Sequence, residues 1–228
     1  EQASYKARDL TQQFLTLSEG GHPRKELGTI ESLLRDVAEQ AQANEHIEYI
    51  FSIQDDLWPV EHDSKQMQNA ISNVLINAVE AMPQGGKVTI QAENKDIENK
   101  DKESPLLLNE GKYVRISIKD EGSGISEEHM DKIFDPYFST KDRGTQKGMG
   151  MGLAVAQSVV QKHDGHIMIN STTGAGTTVT IYLPAAEEIE KEKSTRQKSD
   201  DITPSISGVQ PTIQKILVMD DEEMLRTL

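Results

Sequence analysis

The sequence predicts an α+β fold, in which a helical segment precedes strands and helices built around one core. Three observations predict it. The hydrophobic period switches along the chain between about 3.6 and 2 residues, and glycine and proline fall where it switches. A length of 228 residues with 35% hydrophobic content suits one domain of ordinary size with pieces of its neighbours attached.

Ala3, Ala7, Leu10, Phe14 and Leu17 recur at spacings of three and four, which predicts one amphipathic helix over Ala3–Ser18, ended by Gly20, Gly21 and Pro23. A second helical stripe follows in Ile30, Leu33, Leu34, Val37, Ala38 and Ala41, and then Ile47, Tyr49, Phe51 and Ile53 alternate as a strand. Asp63 is placed to cap a third helix, Ser64–Met82, which Pro83, Gly85 and Gly86 terminate. Strands are predicted at Lys87–Ala92 and Tyr113–Lys119, with the charged stretch Glu93–Gly111 between them as a long loop. Ser126 is read as the cap of a short helix reaching Ile133, and Asp135–Gly148, which has neither period, as a mobile segment. A helix over Gly150–Lys162 and strands at His166–Asn170 and Thr177–Leu183 complete the pattern before Pro184. From Ala185 to Gln210 the chain is charged and then rich in Ser, Thr and Pro, the composition of a linker. Lys215–Leu228 begins something new.

Composition narrows the functions available. Aromatic residues make up only 4% of the chain, so its core must lean on Ile, Leu, Val and Met. A net charge of -14 argues against a nucleic-acid duplex as partner, and any phosphate site must be arranged locally. With no cysteine there is no disulfide framework, thiolate metal site or thiol nucleophile, and a reducing cytoplasm fits. No apolar run approaches the roughly 20 residues of a spanning helix, so no membrane contact is expected of these residues.

Three groups of residues carry candidate chemistry. On the third helix, Asn69, Asn73, Asn77 and Glu80 share a narrow sector opposite Met67, Ile71, Val74, Leu75 and Ala78. Such a polar face is ordinarily just solvated, but two asparagines one turn apart offer hard neutral oxygens that suit Mg²⁺ shared with phosphates. Asp120, directly after a strand, can accept from an exocyclic amine, with Gly122 and Gly124 letting the backbone approach a flat ring; an ordinary turn is the plainer reading. Gly148, Gly150 and Gly152 precede a helix beginning at Leu153, where free amides can meet phosphate. The spacing fits neither the phosphate loop nor the dinucleotide fingerprint. Lys141, Arg143 and Lys147 supply positive charge just before it, or are solvated loop charges.

Read in order, "NVLINAVEAM" from Asn73, "DEGSGI" from Asp120, "IFDPYFSTK" from Ile133, "GMGMGLAVAQSVVQKHDGHIMI" from Gly148 and "GAGTTVTIYLP" from Gly174 resemble the N, G1, F, G2 and G3 boxes of the histidine-kinase catalytic domain. That domain is similar in fold to the ATPase domains of gyrase, MutL and the heat-shock chaperone. The resemblance implies a two-layer α/β sandwich, the Bergerat ATP-binding fold, with a mixed sheet covered on one face by helices. It implies a domain at 22–184, preceded at 1–21 by the end of the second dimerisation and phosphotransfer helix, and followed by a linker at 185–213. "KILVMDDEEMLRTL" resembles the start of a receiver domain at 214–228, with Asp220 and Asp221 as its Mg²⁺-binding acidic pair.

The same resemblance implies MgATP as ligand. Asp120 would bind the adenine amine, Asn77 hold Mg²⁺ and Asn73 support it, and Asp135–Gly152, including Lys141, would form a lid over the phosphates. Gly122 and Gly124 would border the base and Thr178 would lie near it; Glu80 has no firm role. Its partners would be its own phosphotransfer helices in a homodimer and a receiver domain or response regulator, with the phosphoryl group going to a histidine upstream. Hydrolases of the superfamily carry a glutamate where this chain has Asn73. A hydrolase, a serine-directed anti-sigma kinase and a non-catalytic nucleotide-binding module are the alternatives on the same fold.

Overall fold

The computed structural model describes residues 22–41, 46–98, 108–140 and 150–186. The helix expected over Ala3–Ser18, the linker beyond Ala186, the terminal segment with Asp220 and Asp221, and Lys141 and Gly148 lie outside the described residues. In order, the elements are β1 (Glu26–Gly28), α1 (Glu31–Ala41), β2 (Ile47–Ile53), β3 (Val60–His62), α2 (Ser64–Glu80), β4 (Gly86–Ile97), β5 (Gly111–Asp120), a 3₁₀ turn (Glu127–Lys132), α3 (Gly152–Lys162), β6 (His166–Thr172) and β7 (Gly176–Pro184).

The main sheet has the order β2-β4-β5-β7-β6; β2 and β4 are parallel and the other pairs antiparallel. One rung explains how the layers hold together. Phe51, Ile90, Ile118, Val179 and Ile169 stand side by side across all five strands. Because side chains alternate along a strand, this rung and its neighbours put Val88, Ala92, Ile116, Ile181 and Leu183 on the same face. They form one core with Leu34 and Val37 of α1, Met67, Ile71, Val74 and Leu75 of α2, and Val155 and Val159 of α3. Truncating a fully buried member such as Leu75 to Ala costs about 2–5 kcal/mol. The opposite face carries Gln91, Glu93, Arg115 and Lys119, with Arg115 Nη1 2.6 Å from Glu93 Oε1 across the β4–β5 pair. The expected α+β sandwich is therefore the fold observed.

Several local expectations change. The strand after Gly86 runs on to Ile97, five residues into the stretch read as loop. Its charges hid the signal, yet they are used: Glu93 pairs with Arg115, Asn94 Oδ1 accepts from Trp58 N at 2.8 Å, and Asn94 Nδ2 donates to Asp56 O at 2.8 Å. Ser126 does not cap with its side chain; its hydroxyl turns to Glu128 Oε1, and the following turn is 3₁₀. The small β1–β3 sheet was not anticipated, since three residues per strand are too few to show a period.

Asp63 does cap α2. Its Oδ1 accepts from Lys65 N and Gln66 N, both at 3.1 Å, and its Oδ2 from Arg24 N at 3.0 Å. Its own N–H donates to His163 Nε2 at 2.9 Å, while His163 Nδ1–H donates to Val159 O at 2.8 Å. One carboxylate and one neutral imidazole thus tie the approach to β1, the start of α2 and the end of α3. Burial works against the Asp63 charge, but the three backbone N–H groups and His163 outweigh it and hold the carboxyl below its usual range. Burial also pushes the His163 imidazole below its usual value, against the Val159 bond.

The two groups act in different pH windows. As pH falls from about 6.5, the unfolded chain takes up the His163 proton before the folded one does, so stability falls with it. The Asp63 contribution is complete above the ordinary aspartate pKa and is lost only as pH falls through its lowered folded value. His163 should therefore contribute a drop in the melting temperature, followed by the fluorescence of the single tryptophan, Trp58, as pH falls below about 6.5. His163→Gln, which still accepts from Asp63 N and does not titrate, should flatten that drop; an unchanged slope would remove His163 as its source.

Candidate functional site

The apolar ladder of the sheet ends in polar residues. Two positions beyond Ile118 and Val179, on the same inward face, stand Asp120 at the end of β5 and Thr177 near the start of β7, with Ser171 of β6 opposite Thr177. Over this end lie the second half of α2 and the start of α3, and between them opens a cavity of about 640 Å³. Asn73, Asn77, Glu80, Asp120, Gly124, Gly150, Gly152 and Leu153 line it.

Asp120 is 4% exposed and makes two bonds through one oxygen: Oδ1 accepts from Gly122 N at 2.8 Å and from Thr177 N at 3.2 Å. Those bonds fix the carboxylate plane and leave Oδ2 for an incoming donor. Burial raises the Asp120 carboxyl above the usual range, and the two backbone N–H groups counter this only in part.

Gly122 sits behind the wall rather than in it. A Cβ there would stand 2.6 Å from Ala81 Cβ, so its absence lets the loop close beneath α2, where Ser123 N donates to Ala81 O at 3.2 Å. Gly124 has φ +68° and a Cβ would meet Thr172 O at 2.1 Å, a place only glycine fills.

On α2 the polar face is divided. Asn73 Nδ2 donates to Asn69 O and Asn69 Oδ1, each at 3.0 Å, so Asn69 anchors the amide while Asn73 and Asn77 reach the cavity. A Cβ on Gly152 would lie 3.2 Å from Asn73 Oδ1 and 3.5 Å from Asn77 Nδ2; glycine brings the first turn of α3 against both amides. Among the described residues no group of three or more His, Asp or Glu stands ready for a metal. A cation here would rest on amide oxygens and on phosphate, which fits Mg²⁺ better than a metal needing a full protein cage. Gly150 turns the chain at φ +67°, and Tyr137 N donates to its carbonyl at 2.9 Å, which joins the Phe138 segment to the head of α3.

Ile118, Ile133, Phe138, Met151, Ile169 and Val179 supply the apolar part of the lining, the kind of surface that suits a flat ring. Thr178 is not among the lining residues; the two-residue period of β7 aligns Thr177 and Val179 inward and sets Thr178 on the other face, opposite Lys119. That period was present in the sequence, since Val179 and Ile181 mark the inward positions and Thr177 shares their parity.

A buried acceptor at the sheet end, an apolar slot, and paired amides against a glycine-led helix define a nucleotide-binding domain of the two-layer ATPase class. Residues 62–187, more than half of the chain, match the family described as histidine kinase-, DNA gyrase B-, and HSP90-like ATPase, and the chain belongs to that family. Within it the chain is similar to the ATP-binding catalytic domain of sensor histidine kinases. The chain is 33% identical over 175 residues to sensor kinase CckA of Brucella abortus, covering 75% of this chain and 18% of that protein. It is 32% identical over 187 residues to sporulation kinase E of Bacillus subtilis, covering 80% of this chain and 23% of that one. The structure of the mycobacterial sensor histidine kinase MprB superposes with a TM-score of 0.56 at 25% identity, over 71% of this chain and 97% of that structure. The chain spans about a fifth of the length of these two curated relatives.

Proposed function

We propose that this chain holds MgATP as the catalytic part of a two-component sensor kinase and donates the γ-phosphoryl group to a histidine upstream of it. The observation that carries the reading is Asn73. One turn before Asn77, where a general base could activate water, stands a neutral amide whose nitrogen is already bonded to Asn69. A neutral amide cannot take a proton in such a step, so ATP is held without being spent on water.

In this reading Asp120 Oδ2 accepts from the adenine amine, Gly124 and the apolar slot take the ring, and Asn77, supported by Asn73, holds Mg²⁺ at the phosphates. When bound, Mg²⁺ would neutralise the charge that develops on the transferring group. The backbone at Gly150 and Gly152 serves the phosphates, Lys141 and Gly148 are assigned the same task, and Glu80 lines the cavity. The imidazole nitrogen attacks the γ-phosphorus, and the bond to the β-phosphate oxygen breaks with ADP keeping the electron pair.

The proposed layout is the end of the second phosphotransfer helix at 1–21, the catalytic domain at 22–184, a linker at 185–213 and the start of a receiver at 214–228, with Asp220 and Asp221 as its acidic pair. Its partners are then the phosphotransfer helices of a homodimer and a receiver or response regulator, in the cytoplasm. No described helix is long and apolar enough to cross a membrane.

Asn77→Ala tests the metal assignment. It should flatten the Mg²⁺ dependence of ATP affinity and leave metal-free ADP binding within about twofold of wild type. A Mg²⁺ titration that overlays the wild type would place the metal elsewhere, and steady phosphate release by the wild type would favour the hydrolase.

A further inference from the structure

We infer that Ser171 is a positioning residue that fixes the direction of the Thr177 hydroxyl, so that the base end of the cavity reads a 6-aminopurine. The inference rests on the reading of the cavity as a nucleotide site. Ser171 and Thr177 face each other in the β6–β7 register, on the inward side of the sheet. The Ser171 hydroxyl lies within hydrogen-bond distance of three groups: Ile125 N at 2.8 Å, Gly176 O at 3.1 Å and Thr177 Oγ1 at 2.9 Å.

A hydroxyl has one hydrogen and two lone pairs. The Ile125 N–H can only donate, and the Gly176 carbonyl can only accept. All three contacts are satisfied in one arrangement alone. Ser171 gives its hydrogen to Gly176 O, takes the Ile125 N–H on one lone pair, and takes the Thr177 O–H on the other.

Thr177 then has no hydrogen left for the cavity. Its N–H is also spent, on Asp120 Oδ1. The side chains at this end, Asp120 and Thr177, therefore present acceptors side by side. At the exocyclic position an amine meets complementary groups and a carbonyl oxygen meets like ones. Without the Ser171 hydroxyl, Thr177 could turn its hydrogen into the cavity and receive a carbonyl.

The test compares ATP with inosine triphosphate, which replaces the 6-amine by a carbonyl and carries a hydrogen on N1, in direct binding measurements. Wild type should prefer ATP, and Ser171→Ala should shrink that preference about tenfold, the equivalent of one net hydrogen bond. In a Thr177→Val background, where the hydroxyl is gone, Ser171→Ala should change the preference by less than about twofold. Ser171→Thr, which keeps the hydroxyl, should restore it. If Ser171→Ala does not fold, judged by Trp58 fluorescence, Ser171→Cys keeps the volume with a poor acceptor and serves in its place. An unchanged preference, or an equal change with and without the Thr177 hydroxyl, would overturn the inference; the latter would show Ser171 acting only through the Ile125 loop. Wild type failing to bind ATP would instead overturn the nucleotide reading, and this inference with it.

Discussion

Asp120→Asn is expected to lower ATP affinity by roughly a hundredfold while leaving the fold intact or firmer. Asparagine keeps an Oδ1 for the Gly122 and Thr177 N–H groups that orient the side chain. What it changes is the other arm, which turns from an acceptor into an NH₂ donor facing the adenine amine. Losing a hydrogen bond to a charged group costs about 1.5–3 kcal/mol, or roughly ten- to a hundredfold in affinity, and the donor–donor conflict places the mutant at the upper end.

Stability should move the other way. Burial raises the Asp120 carboxyl above its usual range, so the folded chain binds that proton more tightly than the unfolded chain does. The ionised group is then a cost that grows as pH rises through the interval between the two values, and a neutral amide removes it. Wild-type ATP affinity should fall as pH drops through the raised value, because the protonated carboxyl loses its acceptor. Calorimetry with melts on the same samples checks both. A mutant that binds ATP as wild type does would displace Asp120 from the site.

The second large effect is all-or-none: given MgATP, this chain should carry no acid-labile phosphate on histidine. His62 is the tempting acceptor, since His62 followed by Asp63 imitates a His–acid pair. The structure gives both residues other work. His62 is 5% exposed with Nδ1 against Val60 O at 3.2 Å, and Asp63 is committed to the α2 cap. His163 is 2% exposed with both ring nitrogens bonded. A buried imidazole cannot meet a γ-phosphate without local unfolding. Extending the chain upstream through a complete phosphotransfer hairpin should bring labelling from radioactive ATP, and His62→Ala in that longer protein should leave it unchanged. Stoichiometric label on the present chain, lost on His62→Ala, would reverse the assignment.

What could be read from the residues follows from periodicity. α2 was legible because seventeen residues give a stripe time to repeat, and Met67, Ile71, Val74, Leu75 and Ala78, which the spacing placed inside, are buried together with Ala70, which it did not name. The alternation Ile47, Tyr49, Phe51 and Ile53 gave β2 to the residue. The outer half of β4 was illegible because its stabilising partners, Arg115 and Trp58, are distant in sequence. Asn73, Asn77 and Asp120, which line the cavity, were singled out by their place on the elements and given roles only by the resemblance. Thr177 was missed in favour of Thr178 because adjacent threonines look alike until the strand's parity is counted. Ser171 had no local signal at all; only the β6–β7 pairing brings it to Thr177.

The most direct test of the account is a calorimetric titration of this chain with MgATP, followed by analysis of the nucleotide recovered from the cell. One ATP should bind saturably per chain, competed by ADP, with the recovered nucleotide still ATP. No saturable heat and no competition, or ATP returned largely as ADP, would contradict it.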